Sequence, residues 1–134
     1  MKYFFFSVLL FFSVSISAQL LSPDVDSIPT IDGKMLAADV YLPDTSGGQT
    51  YPTILIHTPY NRQLYRWWLP LVGLDIANSP FAFVIVDWRC FYGSAAACVA
   101  SYDRGLDGYD AVEWIAAKPW SDGQVRTWDN SELG

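Results

Sequence analysis

A serine near the end of the chain stands in a pattern that is typical of hydrolytic nucleophiles. Residues 124–128 (Gln-Val-Arg-Thr-Trp) predict a short strand, and Asp129-Asn130-Ser131 follows as a tight turn. A strand that turns sharply into a helix exposes a serine hydroxyl at its apex, and the next backbone N–H, that of Glu132, then faces a developing oxyanion. This pattern indicates acyl transfer through an acyl-enzyme. The alternative is an ordinary loop or N-cap serine.

A tyrosine and the only histidine of the chain lie at the end of another predicted strand, residues 53–57. Tyr60 occurs in Thr-Pro-Tyr just beyond this strand, at the carboxyl edge where α/β proteins place their sites. It is a candidate oxyanion donor, or alternatively a packing tyrosine on a turn fixed by proline. His57 precedes Ser131. In hydrolases whose serine lies at a strand-to-helix turn, the triad histidine follows the serine, so we interpret His57 as structural.

Two further groups carry polar or aromatic side chains. Asp87 and Arg89 follow the predicted strand 81–86 and are interpreted as partners in internal ion pairs or as turn residues. Tyr65, Trp67 and Trp68 could line an acyl or peptide pocket, or form a buried helix face.

The elements that must position these residues follow from hydrophobic patterning. Short apolar runs at 35–42, 53–57 and 81–86 predict strands, and Asp32-Gly33 predicts a hairpin turn. Residues 64–78 predict a helix that Pro70 should break or kink. The clearest helix is predicted over 107–118, with Tyr109, Val112, Ile115 and Ala116 on one face. Buried strands that alternate with helices predict an α/β protein with a mostly parallel sheet and flanking helices.

The N-terminal segment differs from the rest of the chain. Residues 1–18 combine a basic start, a long apolar run and small residues before Gln19, which predicts a signal peptide cleaved after Ala18 and a secreted or periplasmic protein. No membrane span is expected after cleavage, because the run is shorter than the ~20 residues a spanning helix needs. Residues 19–30 are then a lead-in segment, and residues 31–134 form the domain.

The charge balance and the cysteines indicate which partners and cofactors to expect. Removal of Lys2 from the 8 basic residues leaves 7 basic against 14 acidic side chains, which argues against a nucleic-acid partner. Cys90 and Cys98 could form a disulfide in an oxidising compartment, although their spacing alone does not establish one. They bring no metal-ligand pattern with them, and we expect neither a metal nor a cofactor.

Several motifs occur in one order from about Ile31 to Gly134. They are His-Thr-Pro-Tyr-Asn-Arg (57–62), Val-Asp-Trp-Arg (86–89) with Gly93-Ser94, Asp-Gly-Tyr-Asp (107–110) to Trp114-Ile115, Pro-Trp-Ser-Asp-Gly (119–123), and Thr127-Trp128 to Ser131 and Gly134. This order and spacing resemble the cocaine-esterase/X-Pro dipeptidyl-peptidase group of serine hydrolases.

The resemblance implies the N-terminal half of an α/β-hydrolase fold that ends at the nucleophile elbow. It implies Ser131 as nucleophile, with the Tyr60 hydroxyl and the Glu132 backbone amide as oxyanion donors. The implied substrates are small esters, amides or X-Pro peptides. The acid and histidine of this family's triad follow the nucleophile, so we expect both to be absent from these 134 residues.

Three positions depart from the family pattern. Asp129 stands where the elbow usually has a glycine, and Arg126 and Cys90 also replace glycines of relatives. A bulky, charged Asp129 should disfavour both the strained turn and an anionic intermediate. The expected function is therefore a secreted serine hydrolase. The alternatives are a catalytically inactive fragment, a binding-only remnant, or a small secreted binding module that uses the aromatic cluster.

Overall fold

The computed structural model of the chain describes residues 22–43 and 47–128. Within these residues, five strands form one sheet in the order β1-β2-β4-β3-β5. The strands are β1 (Asp24–Pro29), β2 (Met35–Tyr41), β3 (Tyr51–Thr58), β4 (Ala82–Asp87) and β5 (Ser121–Thr127). The helices are α1 (Tyr65–Leu71) and α2 (Arg104–Ala116), and short 3₁₀ turns cover Arg62–Leu64 and Tyr92–Ala97.

The sheet is mixed, and the prediction of a mostly parallel sheet is correct only for part of it. β3 pairs in parallel with β4 on one side and with β5 on the other. β1 and β2 form an antiparallel hairpin, and β2 then pairs antiparallel with β4. The predicted turn is present, with Gly33 at φ 77° in the left-handed region that glycine adopts without strain. The predicted lead-in segment contains β1, which sequence analysis did not identify because its strand is short and largely exposed.

The two helices pack on opposite faces of the sheet and make two apolar clusters. β4 is buried along its whole length: Val84 and Val86 face the cluster of α2, whereas Phe83 and Ile85 face the cluster of α1. This arrangement accounts for the uninterrupted apolar run of β4, because a strand covered on both faces has no polar side.

Helix α1 is shorter than the predicted helix over 64–78. It ends at Leu71, one residue after Pro70, and Gly73 then adopts φ 84°. The Leu74 N–H donates to the Leu69 carbonyl oxygen over 2.9 Å, which satisfies an end carbonyl of the helix. A left-handed glycine followed by such a bond is a common helix stop, and it prevents the helix from continuing to residue 78.

Helix α2 confirms the second predicted helix, but it begins earlier, and only part of its predicted inward face is buried: Ile115 is in the core and Val112 packs against it. Asp103 caps it by accepting a hydrogen bond from the Gly105 N–H over 2.7 Å. The buried residues are Asp107, Ala111 and Ile115, whereas Tyr109, predicted to face the core, is 61% exposed. The predicted face was wrong at Tyr109 because a buried ion pair of Asp107 rotates the packed stripe toward that residue. Among the described residues, no helix has the length and apolarity required to span a membrane.

Candidate active site

The carboxyl ends of three strands meet at one edge of the sheet. β3 runs parallel to both of its neighbours, so Thr58, Asp87 and Thr127 end these strands on the same side. Beyond the strands, the Trp88 N–H donates to the Thr58 carbonyl oxygen over 2.8 Å and the Trp128 N–H donates to that of Leu55 over 3.0 Å. Ligand sites of α/β proteins lie at this kind of edge.

Tyr60 lies on the turn that follows β3 at this edge of the sheet. A hydrogen bond between the Tyr60 backbone and the Thr58 side chain closes this turn. The Tyr60 N–H donates to Thr58 Oγ1 over 3.0 Å, and the same oxygen lies 2.8 Å from the Tyr65 hydroxyl, in a buried hydrogen bond. The Tyr60 side chain is half exposed. The structure therefore places Tyr60 where sequence analysis expected it, with a ring that is accessible from outside the sheet.

An apolar cavity of about 230 Å³ opens beside Tyr60. It is lined by Tyr60, Leu64, Tyr65 and Trp68. The Trp68 ring also lies 5.9 Å from the Trp128 ring, so the wall of the cavity touches the residue that follows β5. Trp67 points into solvent and stacks under the Arg66 guanidinium at 5.2 Å. Two of the three aromatic residues predicted for a pocket, Tyr65 and Trp68, are thus cavity residues, and Trp67 is not.

The turn after Tyr60 is held by a buried ion-pair group, the Arg62 cluster, which consists of Arg62, Asp39 and Asp87. Arg62 Nε donates to Asp39 Oδ1 over 2.8 Å, and Arg62 Nη1 donates to Asp87 Oδ2 over 2.6 Å. The Arg62 backbone N–H donates to Asp87 Oδ1 over 2.7 Å. Burial alone would lower the pKa of Arg62, but its hydrogen bond to Asp87 and the charge of Asp39 raise it above the ordinary value.

Asp87 is itself enclosed by the loop that follows β4. The Gly93 N–H donates to Asp87 Oδ2 over 3.0 Å, and Ser94 Oγ donates to the Asp87 carbonyl oxygen over 2.8 Å. A Cβ on Gly93 would lie 2.7 Å from the Ala37 Cβ and closer still to Arg62 Nη1. The Gly93-Ser94 pair of the sequence motif therefore has a packing role, because only glycine allows the loop to lie against Arg62.

A second ion-pair group, the Arg89 cluster, consists of the buried Arg89 and Asp107 and the exposed Asp32. Arg89 Nη2 donates to Asp107 Oδ1 over 2.6 Å, and Arg89 Nη1 donates to Asp32 Oδ2 over 2.7 Å. The hydrogen bonds that Arg89 donates to Asp107 and then to Asp32 raise the pKa of Arg89, and the same bond to Asp32 holds the pKa of that carboxyl well below its usual range. The interpretation of Asp87 and Arg89 as internal ion-pair residues is confirmed, although they pair with separate partners.

The loop between these clusters is closed by a disulfide between Cys90 and Cys98. The spacing of the two cysteines alone did not establish this disulfide, and the structure contains it. Cys90 adopts φ 73°, in the left-handed region that favours glycine. This backbone requirement explains why a glycine at this position would be the unstrained choice.

His57 lies on β3 between the two clusters. Its Nε2 is buried and has no hydrogen-bond partner among the described residues. Burial lowers the pKa of His57 to about 4, against the opposing charges of Asp107 and Asp87, and its ring meets the edge of the Trp88 ring at 6.4 Å. A buried, neutral imidazole packed on an aromatic ring supports the structural role assigned to His57.

The predicted nucleophile Ser131, the Glu132 amide and Asp129 lie outside the described residues. Trp128, the last described residue, precedes Ser131 by three positions. Within residues 22–43 and 47–128, no group of three His, Cys, Asp or Glu side chains could hold a metal ion. Sequence analysis did not assign roles to Asp39, Arg62 and Thr58. The only sequence feature that pointed to two of them was the motif 57–62, which contains Thr58 and Arg62. A buried ion pair between distant segments leaves no local pattern in the sequence.

Comparisons with known proteins agree with this geometry. The family model for X-Pro dipeptidyl-peptidase (S15 family) matches residues 32–134. The cocaine esterase of Rhodococcus sp. (strain MB1 Bresler) is 32% identical over 109 residues, which cover 80% of this chain and 19% of the esterase.

Two solved structures share the fold. An aminopeptidase from the marine sediment archaeon Thaumarchaeota archaeon superposes with a TM-score of 0.57 at 21% identity, covering 84% of this chain and 22% of its own. An α-amino acid ester hydrolase superposes with a TM-score of 0.59 at 22% identity, covering 78% and 20%.

The present chain spans about a fifth of the length of these relatives. Its sheet is α/β-hydrolase-like, and its motifs match the family model over residues 32–134. The chain therefore belongs to the X-Pro dipeptidyl-peptidase (S15) family of serine hydrolases, the group that includes the cocaine esterase.

Proposed function

We propose that this protein is an exported serine hydrolase that cleaves ester or amide bonds, with small acyl esters or X-Pro peptides as substrates. Ser131 attacks the carbonyl carbon and forms an acyl-enzyme, and water then releases the acid. The Tyr60 hydroxyl and the Glu132 amide donate to the oxyanion. In the order that the family implies, the acid and the histidine that transfer the protons follow Ser131.

One observation carries this proposal: the parallel pairing of β3 with β5. Leu55 of β3 is in register with Thr127 of β5, so both strands leave the sheet at the same edge. Tyr60 follows the end of β3 by two residues, and Ser131 follows the end of β5 by four. The donor and the nucleophile thus each follow the end of one of two adjacent parallel strands by a few residues. From there, both can face the same carbonyl group.

The apolar cavity beside Tyr60 supports a substrate with an apolar acyl or side-chain group. Its four lining residues are apolar or aromatic, and the most polar group near its base, the Tyr65 hydroxyl, is engaged with Thr58. A cavity of this size takes a small ring or a branched aliphatic group rather than a long chain.

Labelling with a fluorophosphonate probe, which phosphonylates activated serines with loss of fluoride, tests the assignment. We expect Ser131→Ala to abolish labelling and Tyr60→Phe to slow it by about 10²- to 10³-fold, the usual cost of one lost oxyanion donor. Tyr109→Phe is the matched control, because Tyr109 is a similarly exposed tyrosine on α2, and it should label at the normal rate.

Two results would count against the proposal. Labelling that persists in Ser131→Ala would exclude Ser131 as the nucleophile. The absence of labelling on protein that unfolds cooperatively would favour the inactive or binding-only alternative, in which the cavity beside Tyr60 binds a ligand without cleaving it.

A further inference from the structure

We propose that Arg62 is a positioning residue for the reaction, which holds Tyr60 in place through Asp87. This inference rests on the proposed function of Tyr60 as an oxyanion donor. Arg62 itself lies in the buried Arg62 cluster and is not proposed to touch the substrate.

The turn that carries Tyr60 is fixed at two points. At one end, the Tyr60 N–H donates to Thr58 Oγ1 over 3.0 Å. At the other end, the Arg62 N–H donates to Asp87 Oδ1 over 2.7 Å. Asp87 ends β4, the strand that pairs with β3, so this bond ties the turn to the centre of the sheet.

The residue between these two points has an unfavourable backbone conformation. Asn61 adopts φ 71°, and its side-chain oxygen accepts from the Gln63 N–H over 3.1 Å. A non-glycine residue in the left-handed region costs about 1–2 kcal/mol, so the turn would relax unless its ends were held. The Arg62 cluster supplies that restraint.

The side chain of Arg62 keeps Asp87 in the required orientation. Its guanidinium donates to Asp87 Oδ2 and to Asp39 Oδ1, which leaves Asp87 Oδ1 aimed at the Arg62 backbone N–H. Both carboxylates are buried, and Gly93 closes the space above the guanidinium. The planar fork of arginine can bridge two carboxylates in this way, whereas a lysine ammonium cannot hold the same geometry.

An arginine in this position therefore sets where the Tyr60 hydroxyl lies. Loss of the fork would let the 59–62 turn shift while leaving the strands paired. An oxyanion donor displaced by about 1 Å loses most of its effect on the transition state, but it affects ground-state binding much less. The inference thus predicts a loss in kcat with little change in KM.

The first experiment is a double-mutant cycle between Arg62→Lys and Tyr60→Phe. Phosphonylation by a fluorophosphonate and turnover of a p-nitrophenyl ester are measured in both backgrounds. We expect Arg62→Lys to lower kcat by roughly 10- to 100-fold with KM unchanged. In the Tyr60→Phe background, the same change should cost less than about twofold, because the residue on which Arg62 acts has been removed.

A second variant perturbs the same cluster without replacing any of its three charged residues. Gly93→Ala places a methyl group against Arg62 Nη1 and should reproduce the kcat loss of Arg62→Lys. Gly108→Ala is the matched control, since nothing lies within 4 Å of a Cβ at that position, and its kcat should match the wild type.

Hydrogen exchange gives a readout that does not require turnover. In Arg62→Lys, exchange at the Tyr60 and Arg62 amides should accelerate by about tenfold or more, while the amides of Val84 and Ile85 in β4 remain protected. Unchanged exchange at Tyr60 would overturn the inference, and so would an equal kcat loss in both backgrounds of the cycle.

These readouts separate the inference from the function on which it rests. Normal labelling and turnover in Tyr60→Phe would overturn the role of Tyr60 and the catalytic part of the inference with it. In protein that the probe does not label at all, local acceleration of exchange at Tyr60 would still support the restraint by Arg62, and its absence would overturn it.

Discussion

The two arginine clusters have the same chemistry but stabilise different parts of the molecule. Each contains one buried guanidinium between two aspartates. In the Arg62 cluster, the arginine's own backbone N–H is part of the network, so the cluster shapes the turn that carries Tyr60. In the Arg89 cluster, the guanidinium joins the hairpin turn at Asp32, helix α2 at Asp107 and the carbonyl oxygen of Ala97.

The difference shows that a buried ion pair takes its role from the backbone to which it is attached. The Arg89 cluster connects three segments, none of which carries Tyr60, so its loss should affect stability. The Arg62 cluster lies behind one turn, so a mild change there should affect the position of Tyr60. The following variants test this division, from the largest expected effect to the smallest.

Replacement of Arg89 by methionine should give the largest loss of stability. Arg89→Met leaves the buried Asp107 carboxylate without its partner, and breaking a buried pair in this way typically costs about 3–5 kcal/mol. The free energy of unfolding is measured by urea denaturation. A loss below about 1 kcal/mol, the range of an exposed pair, would show that the Arg89 cluster does not join the three segments.

The pH dependence of stability should report on His57, which lies between the clusters. Its pKa is lowered from the ordinary 6.5 to about 4 in the folded protein, so the unfolded state binds the proton more readily. Stability should therefore fall as the pH decreases from about 6.5 to 4. The full contribution is about 3 kcal/mol, because each pKa unit corresponds to 1.36 kcal/mol.

His57→Gln provides the matched measurement, since glutamine keeps a polar side chain that does not titrate. Urea denaturation of both proteins between pH 7 and pH 4 should give a shallower decline for His57→Gln. Parallel curves would show that His57 titrates normally and is not buried as a neutral group.

Removal of the disulfide should have a slightly smaller effect. Cys90→Ala with Cys98→Ala opens a short loop, and the chain-entropy relation gives a loss of about 2–3 kcal/mol. Cys90→Gly with Cys98→Ala should be about 1 kcal/mol more stable than that variant, because glycine adopts the positive φ of residue 90 without strain. Thermal unfolding of the two variants is compared directly. Equal stabilities would contradict the strain assigned to Cys90.

The exposed pair between Lys118 and Asp26 should give the smallest effect. Lys118 Nζ lies 3.1 Å from Asp26 Oδ2, with both side chains partly exposed, and 3.7 Å from the centre of the Trp114 ring. Lys118→Met should lower stability by less than about 1 kcal/mol, and 0.5 M NaCl should reduce the difference. A loss as large as that of Arg89→Met would remove the contrast between buried and exposed pairs.

Much of the fold could be predicted from local patterns in the sequence. The apolar runs located β2, β3 and β4, and Asp32-Gly33 located the hairpin turn. The end of α1 was misplaced because Pro70 and Gly73 act together, and β1 was missed because an exposed edge strand lacks an apolar run. The inward face of α2 was correct at Ile115 but wrong at Tyr109, since a buried aspartate such as Asp107 does not resemble a core residue in the sequence.

In the candidate site, too, some residues could be predicted from the sequence and others could not. Tyr60 could be predicted because a strand end, a proline and an ordered series of motifs lie together in the sequence. Its supports could not, since Asp39 and Asp87 are 23 and 25 residues from Arg62 along the chain. Ser131 and Glu132 remain predictions from the sequence and the family.

The sequence by itself determined the family, the positions of β2, β3 and β4, and the candidate residues Tyr60 and Ser131, because these depend on neighbours in the chain. Only the tertiary structure decided the antiparallel entry of β2 beside β4, the disulfide and the partners of the two buried arginines. These features depend on which distant segments share a dry interior, where an unpaired charge is costly and must find its partner across the fold.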